Sequence, residues 1–193
     1  MRNLLLLYGF PYQFVKLVTA CLETVAFSLY FSGVLSPPFR AKRGLRQGDP
    51  LSPYLFVLVM DYLSRCLKQL WTNNSFKGHP RCGALKITNL SFADDILLFC
   101  HGDLLSVKCL KDVLDHFSGI SGLILNPQKC TVYFGGVSSD VKGAIIDLLG
   151  FQEGTLPITY LGLPLTSSRI SASLLQPMPV SYTHLTLPTI CSV

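Results

Sequence analysis

Two adjacent carboxylates, Asp94 and Asp95, lie between the apolar runs Leu90-Ser91-Phe92-Ala93 and Ile96-Leu97-Leu98-Phe99. The flanks read as strands over 85–92 and 96–100, so the acids fall at a hairpin tip. Along a strand, neighbouring side chains face opposite ways, but at a turn both can point into one space. Carboxylates held so close repel unless a cation lies between them. Mg²⁺ suits such a pair, because it takes one or two carboxylates and fills its shell with water and phosphate oxygens. Two ions held this way would stabilise the attacking and leaving oxygens of a phosphoryl transfer. Aspartate also favours turns for backbone reasons, and the residues alone leave both readings open.

A second cluster precedes it. Arg40, Lys42, Arg43 and Arg46 place four cations in seven residues, followed directly by Gln47 and Gly48. Cations attract phosphates by charge and counterion release. Gln47 can hydrogen-bond a base or sugar edge, and Gly48 lets a backbone approach a ligand closely. A charged hairpin edge that deters sheet pairing accounts for the cations equally well. Lys129, in the turn Asn126-Pro127-Gln128-Lys129, could donate a proton or hold a phosphate, or simply be solvated. The four histidines and seven cysteines show no metal-ligand spacing and no C-x-x-C pair, which excludes a zinc site and a disulfide framework. A reducing compartment is the expectation.

The elements that must position these groups follow from periodicity. Apolar residues at 14, 17, 18, 21, 22 and 25 after Pro11 predict an amphipathic helix, and 26–31 with 39–43 predict a hairpin. The loop 44–50 leads to Ser52-Pro53, an expected N-cap and first helical residue. The helix after it, to about Trp71, is apolar nearly all round as far as Met60, which predicts a central, buried position. A polar loop over 72–83 would separate this part from a second unit. Beyond the carboxylate hairpin, a helix over 103–117 closed by Ser118-Gly119, strands 123–125 and 131–134, a helix 141–149 ended by Gly150, and an extended segment 158–165 are expected.

The 193 residues suffice for one domain or a large piece of a bigger one. Hydrophobic residues make up 49% and charged residues only 14%, which excludes disorder. The mean hydropathy of +0.43 raises the question of a membrane. No run approaches the roughly 20 apolar residues of a spanning helix, and the apolar start meets Pro11 and Lys16 too early for a signal peptide. The net charge of +5 permits an anionic partner without demanding one. Residues 170–193 contain no Lys, Arg, Asp or Glu. The stretch 180–189 reads as one possible translation of a sequencing-library adapter, so 180–193 is expected to be an adapter or assembly scar, with a genuine hydrophobic tail as the alternative.

In order, the pieces resemble one family. Gly44-Leu45-Arg46-Gln47-Gly48-Asp49-Pro50-Leu51-Ser52-Pro53, Phe92-Ala93-Asp94-Asp95, Ser121-Gly122-Leu123 with Asn126-Pro127-Gln128-Lys129, and Tyr160-Leu161-Gly162-Leu163-Pro164-Leu165 look like successive motifs of a reverse transcriptase. The type is that of the LINE-like, non-LTR retrotransposons of plant genomes, over about residues 5–169. The resemblance implies an RNA-directed DNA polymerase, a nucleotidyltransferase. It also implies an α+β fold: a partial right-hand palm over 1–169, with a small antiparallel sheet, helices on one face, and fingers and thumb largely missing. By position, Asp94 and Asp95 match the paired catalytic carboxylates that hold two Mg²⁺ ions, Asp94 being the more direct ligand. Arg46, Gln47 and Gly48 match the segment that positions template and incoming nucleotide. Lys129 matches a lysine proposed to protonate the leaving pyrophosphate, and Tyr160, Leu161 and Gly162 the segment that supports the primer end. RNA template, DNA primer and deoxynucleotide triphosphates are the implied partners. The implied location is intracellular, nucleus or cytoplasm, with no membrane association.

The chain also departs from the pattern. The family's palm needs a third aspartate on a strand ahead of Gly44, whereas the only acid among residues 1–48 is Glu23. Met1 is accordingly read as an internal start in a broken or partly assembled element, and the chain as inactive alone. The alternatives are a nucleic-acid-binding remnant without chemistry and an unstable product of a degraded element.

Overall fold

A computed structural model describes residues 1–41, 44–161 and 163–165. Lys42, Arg43, Gly162 and the uncharged tail from 170 lie outside the described residues. The chain divides into two compact units, Met1–Leu125 and the part from Asn126 onward.

The first unit opens with α1 (Arg2–Leu7) and α2 (Tyr12–Glu23), which meet through Leu5, Val15 and Val18. Pro11 stands at the N-cap of α2, where its missing N–H costs no hydrogen bond. The ribbon that follows is longer and more broken than the expected hairpin. Strand β1 (Ala26–Phe27) pairs with β4 (Phe39–Arg40), and nested inside them β2 (Tyr30–Phe31) pairs with β3 (Val34–Leu35). From Phe27 to Tyr30 is three residues, but from Leu35 to Phe39 is four, so the returning arm carries one extra residue beside Pro37-Pro38. Every strand residue of this ribbon is exposed.

Helix α3 (Ser52–Gln69) runs on into a 3-10 turn at Leu70–Thr72, close to the expected end. It is less buried than its composition predicts. Leu55 joins the core of α1 and α2, while Leu63 and Leu67 join a separate core with Leu110, Leu114 and Phe117. One helix thus serves two small cores, and Tyr54 and Val57 on it stay exposed. The stretch 72–83 is no linker: Phe76 is buried in the second core with its ring edge-on to Trp71, whose indole N–H donates to the buried Thr88 hydroxyl at 2.7 Å.

Strands β5 (Asn89–Phe92) and β6 (Asp95–Leu98) form the antiparallel carboxylate hairpin. Helix α4 (Leu104–Ser121) runs four residues, about one turn, past the expected end at Phe117. It ends where Gly122 adopts the left-handed φ of +74° that terminates a helix. Gly119 carries no such conformation and sits within the helix, which corrects the expected end. Residues 123–125 form no strand.

In the second unit β7 (Thr131–Tyr133) pairs in parallel with β8 (Gln152–Gly154) across α5 (Ser139–Leu149), whose Ile145 is buried. Helix α5 stops at Gly150 as expected, at φ +69°. The segment 158–165 is a hairpin, β9 (Ile158–Tyr160) with β10 (Leu163–Leu165). The fold is α+β, as a partial palm requires. Its strands, however, form five separate two-stranded ladders among the described residues, four antiparallel and one parallel, instead of one antiparallel sheet.

Candidate polymerase site

The register of the carboxylate hairpin corrects the expectation that both acids lie in the turn. Phe92 pairs with Asp95, so the loop is Ala93-Asp94 alone, and Asp95 is the first residue of β6. Ala93 takes φ +51°, the sign that a two-residue hairpin loop demands and that glycine would supply without strain. A non-glycine residue held there is the kind of local cost found at functional sites.

Alternation then fixes which way the hairpin faces. Ile96 and Leu98 pack on the core made by α3 and α4, and Asn89 on the partner strand donates to the Ser64 hydroxyl of α3 at 3.2 Å. Asp95 and Leu97 therefore lie on the opposite face with Leu90 and Phe92. Asp94 and Asp95 are both exposed, and neither side chain has a hydrogen-bond or ion-pair partner among the described residues. No group of three or more His, Cys, Asp or Glu stands together among the described residues. The donor set for a cation is thus two free carboxylates, which fits a hard ion that keeps much of its water.

The loop 44–50 is folded onto the start of α3 by its own side chains. Ser52, expected as the N-cap, lies inside the helix instead and donates its hydroxyl to the Arg46 carbonyl at 2.6 Å. Asp49 takes over the capping work: its Oδ1 accepts from the Leu51 N–H at 2.8 Å, and its carbonyl from the Ser52 N–H. Gly48 at φ +85° makes the turn possible. Leu45 anchors the loop in the first core, whereas Arg46, Gln47 and Gly48 are exposed around a shallow depression of about 530 Å³ with Pro53 and Phe56. A cation and exposed backbone at the positive end of a long helix suit a phosphate.

Both features are mounted on α3. Ser64, which holds the open end of the hairpin, lies 12 residues along from Ser52, about 18 Å at the helical rise. Lys129 and the Tyr160-Leu161 segment belong to the second unit. Lys129 is exposed at the end of a 3-10 turn that Asn126 caps by accepting from the Gln128 N–H. Tyr160 in β9 has a buried hydroxyl with no hydrogen-bond partner among the described residues, and the exposed Leu161 turns the hairpin at φ +52°.

Sequence reasoning missed a third cluster. Tyr8 donates its hydroxyl to Asp61 at 2.5 Å, and Arg65 reaches the same carboxylate oxygen at 2.7 Å while covering the Tyr8 ring. Bonds from Tyr8 and Arg65 hold the Asp61 carboxyl below its usual range, and burial and then Asp61 push the Tyr8 phenol up. The i, i+4 spacing of Asp61 and Arg65 was visible, but nothing marked Tyr8, 53 residues away, as their partner. The cluster ties α1 to the middle of α3.

Against this geometry, residues 8–165 match the family model "Reverse transcriptase (RNA-dependent DNA polymerase)". The chain belongs to the reverse transcriptase family. It is 34% identical over 171 residues, 83% of its own length, to the Retrovirus-related Pol polyprotein from type-2 retrotransposable element R2DM of Drosophila melanogaster. It is 33% identical over 141 residues, 67% of its length, to the corresponding polyprotein of a type-1 R2 element of Popillia japonica. It spans only 15% and 22% of these two relatives. These relatives are non-LTR retrotransposon polyproteins from insects; a shorter match, 41% identical over 64 residues, is to an uncharacterized mitochondrial protein of Arabidopsis thaliana. The reverse transcriptase domain of a non-LTR element is therefore the right description. No described helix is long and apolar enough to cross a membrane.

Proposed function

We propose that residues 1–169 are the nucleotide-transfer core of an RNA-directed DNA polymerase that works by a two-ion mechanism, with the tail from 170 outside that core. The observation that carries this reading is the shared support: α3 bears the Arg46–Gly48 loop at its start and the Asp94–Asp95 hairpin on its second half. Asp94 and Asp95 would hold Mg²⁺, which when bound offsets charge on the oxygens at the reacting phosphorus. Arg46 draws in phosphates of template or nucleotide, Gln47 hydrogen-bonds a base or sugar edge, and the turn at Gly48 lets backbone come close. Lys129 gives a proton to the leaving pyrophosphate, and Tyr160, Leu161 and Gly162 support the primer end. RNA template, DNA primer and deoxynucleotide triphosphates are the partners, met inside the cell in nucleus or cytoplasm.

This chain by itself does not polymerise. Two carboxylates offset only part of the charge of two divalent ions, and the one acid before Gly44 is Glu23, at the end of α2. Primer extension on an RNA template with Mg²⁺ tests this, and no product is expected. Extension that vanishes in Asp94→Asn would overturn the inactivity. Mn²⁺ titration followed by water proton relaxation tests the ligand assignment: weak binding is expected, lost in the Asp94→Asn, Asp95→Asn double variant. Binding unchanged in that variant removes the metal role of these residues.

A further inference from the structure

The ribbon β1–β4 is hard to explain as a structural element. Its eight strand residues are all exposed, with Tyr30 at 73% and Phe31 at 80% of their surface in water. Burying rings is a main source of folding free energy, so two aromatic residues left bare on a short ribbon need another reason. Charge supplies one. From Thr24 to Gly48 the chain contains no Asp or Glu, yet it contains Arg40, Lys42, Arg43 and Arg46. Arg40 lies on β4 at the base of the ribbon, opposite Ala26, and is exposed.

Exposed rings beside an acid-free, basic stretch match one partner chemistry. Single-stranded nucleic acid offers unstacked bases to aromatic faces and phosphates to cations. A protein partner would be met better by a patch whose charges were mixed or excluded. Tyr30 and Phe31 are neighbours in β2, so their rings stand on opposite faces of the ribbon, and a strand that stacks on both passes round the β2–β3 tip beside Phe31. We propose that the 26–40 ribbon is a contact for a single nucleic-acid strand, with Tyr30 and Phe31 each stacking a base and Arg40 holding a phosphate. The proposal rests on the nucleic-acid reading above and adds to it residues outside the 44–50 loop and the carboxylate hairpin.

The test is fluorescence anisotropy of the 193-residue chain with a labelled 20-nucleotide single-stranded RNA, over a range of salt. Tyr30→Ala and Phe31→Ala should each weaken binding by about tenfold or more without changing the salt slope. Arg40→Ala should lower the slope by about one. Phe31→Tyr should bind like the parent, whereas Phe31→Leu, which keeps apolar area without a ring, should behave like Phe31→Ala. Since these side chains are exposed, the melts of all variants should match the parent.

Ultraviolet crosslinking gives a readout independent of affinity. No Lys or Arg lies between Lys16 and Arg40, so trypsin releases the ribbon as one peptide, 17–40, which should carry the crosslinked nucleotide. If the parent binds RNA but the ring variants bind equally and peptide 17–40 is unmodified, this proposal falls while the polymerase reading stands. If Phe31→Leu binds RNA normally, or the ring variants only abolish self-association, the ribbon is a protein-contact surface and the proposal is wrong. If the parent binds no nucleic acid at low salt, the broader reading fails as well.

Discussion

Removing the carboxylate of Asp103 should unfasten the helix that supports the Asp94–Asp95 hairpin. Asp103 is the N-cap of α4: its Oδ1 accepts from the Ser106 N–H at 2.9 Å, and its Oδ2 accepts from the Ser106 hydroxyl and from His101 Nδ1, both at 2.9 Å. Ser106 is fully buried, and its oxygen in turn accepts from the Lys77 N–H at 2.9 Å. Asp103→Ala loses a cap, about 1 kcal/mol. It also leaves the buried Ser106 hydroxyl proton without an acceptor, about 1–3 kcal/mol more. The expected loss is about 2–4 kcal/mol, read by urea unfolding at pH 7 followed by far-ultraviolet circular dichroism. Asp103→Asn keeps an acceptor for the Ser106 N–H and should lose about half as much.

The pH dependence adds an independent check. Burial pushes the Asp103 carboxyl up, but the Ser106 N–H, the Ser106 hydroxyl and His101 together outweigh it and hold the group below its ordinary 3.8. A depressed folded pKa means stabilisation that is present above the unfolded value and disappears as pH falls through the folded one. The stability gap between parent and Asp103→Asn should therefore be constant from pH 5 upward and narrow below about pH 4. If Asp103→Ala unfolds within 0.5 kcal/mol of the parent, or if Asp103→Asn is as damaging as Asp103→Ala, the capping argument is refuted.

Other perturbations separate support from chemistry. A Cβ at Gly78 would overlap the Trp71 ring, which the Thr88 hydrogen bond and Phe76 hold in place, so Gly78→Ala should cost about 1–3 kcal/mol and shift the emission of the chain's single tryptophan. Leu67→Ala, at a fully buried position between α3 and α4, should cost about 2–5 kcal/mol in the same unfolding assay. Asp94→Asn and Asp95→Asn should leave stability within about 0.5 kcal/mol of the parent, because both carboxylates are exposed and unpartnered among the described residues. A larger loss in either would mean that the acids are structural.

Local signals in the sequence were readable where a single residue decides the backbone. Pro11 and Gly150 bound their helices as their chemistry demands, and the 94–95 hairpin was plain from two apolar runs around a pair of acids. Errors arose where two local rules competed. Gly119 looked like a helix stop, yet the apolar stripe reaches Phe117 and the chain can continue to Gly122, where positive φ gives the true C-cap. Ser52 beside Pro53 looked like an N-cap, but Asp49 lies where its carboxylate reaches the Leu51 N–H, and the serine hydroxyl is drawn back to Arg46 instead. The burial of α3 was overestimated because composition cannot say how many partners a helix will find. The parallel pairing of β7 with β8 spans 21 residues from Thr131 to Gln152 and left no local trace.

The division of α3 between two cores explains why the recognised motifs keep their order and yet are separately mounted. Leu55 belongs with Leu5, Val15 and Val18, and Leu63 and Leu67 belong with Leu110, Leu114 and Phe117. Between these groups the Tyr8–Asp61–Arg65 cluster supplies the polar tie from α1 to the same helix. A helix of 18 residues is stiff on the scale of a nucleotide, so it can hold the Arg46–Gly48 loop and the carboxylate hairpin at a set spacing even though no strand pairs them. Loosening either core would then move one motif relative to the other without altering either locally. Leu67→Ala should, on this argument, weaken Mn²⁺ binding at Asp94 and Asp95 less than it weakens the unit as a whole, because the two acids sit on one two-residue-loop hairpin whose register Phe92 and Asp95 set between themselves.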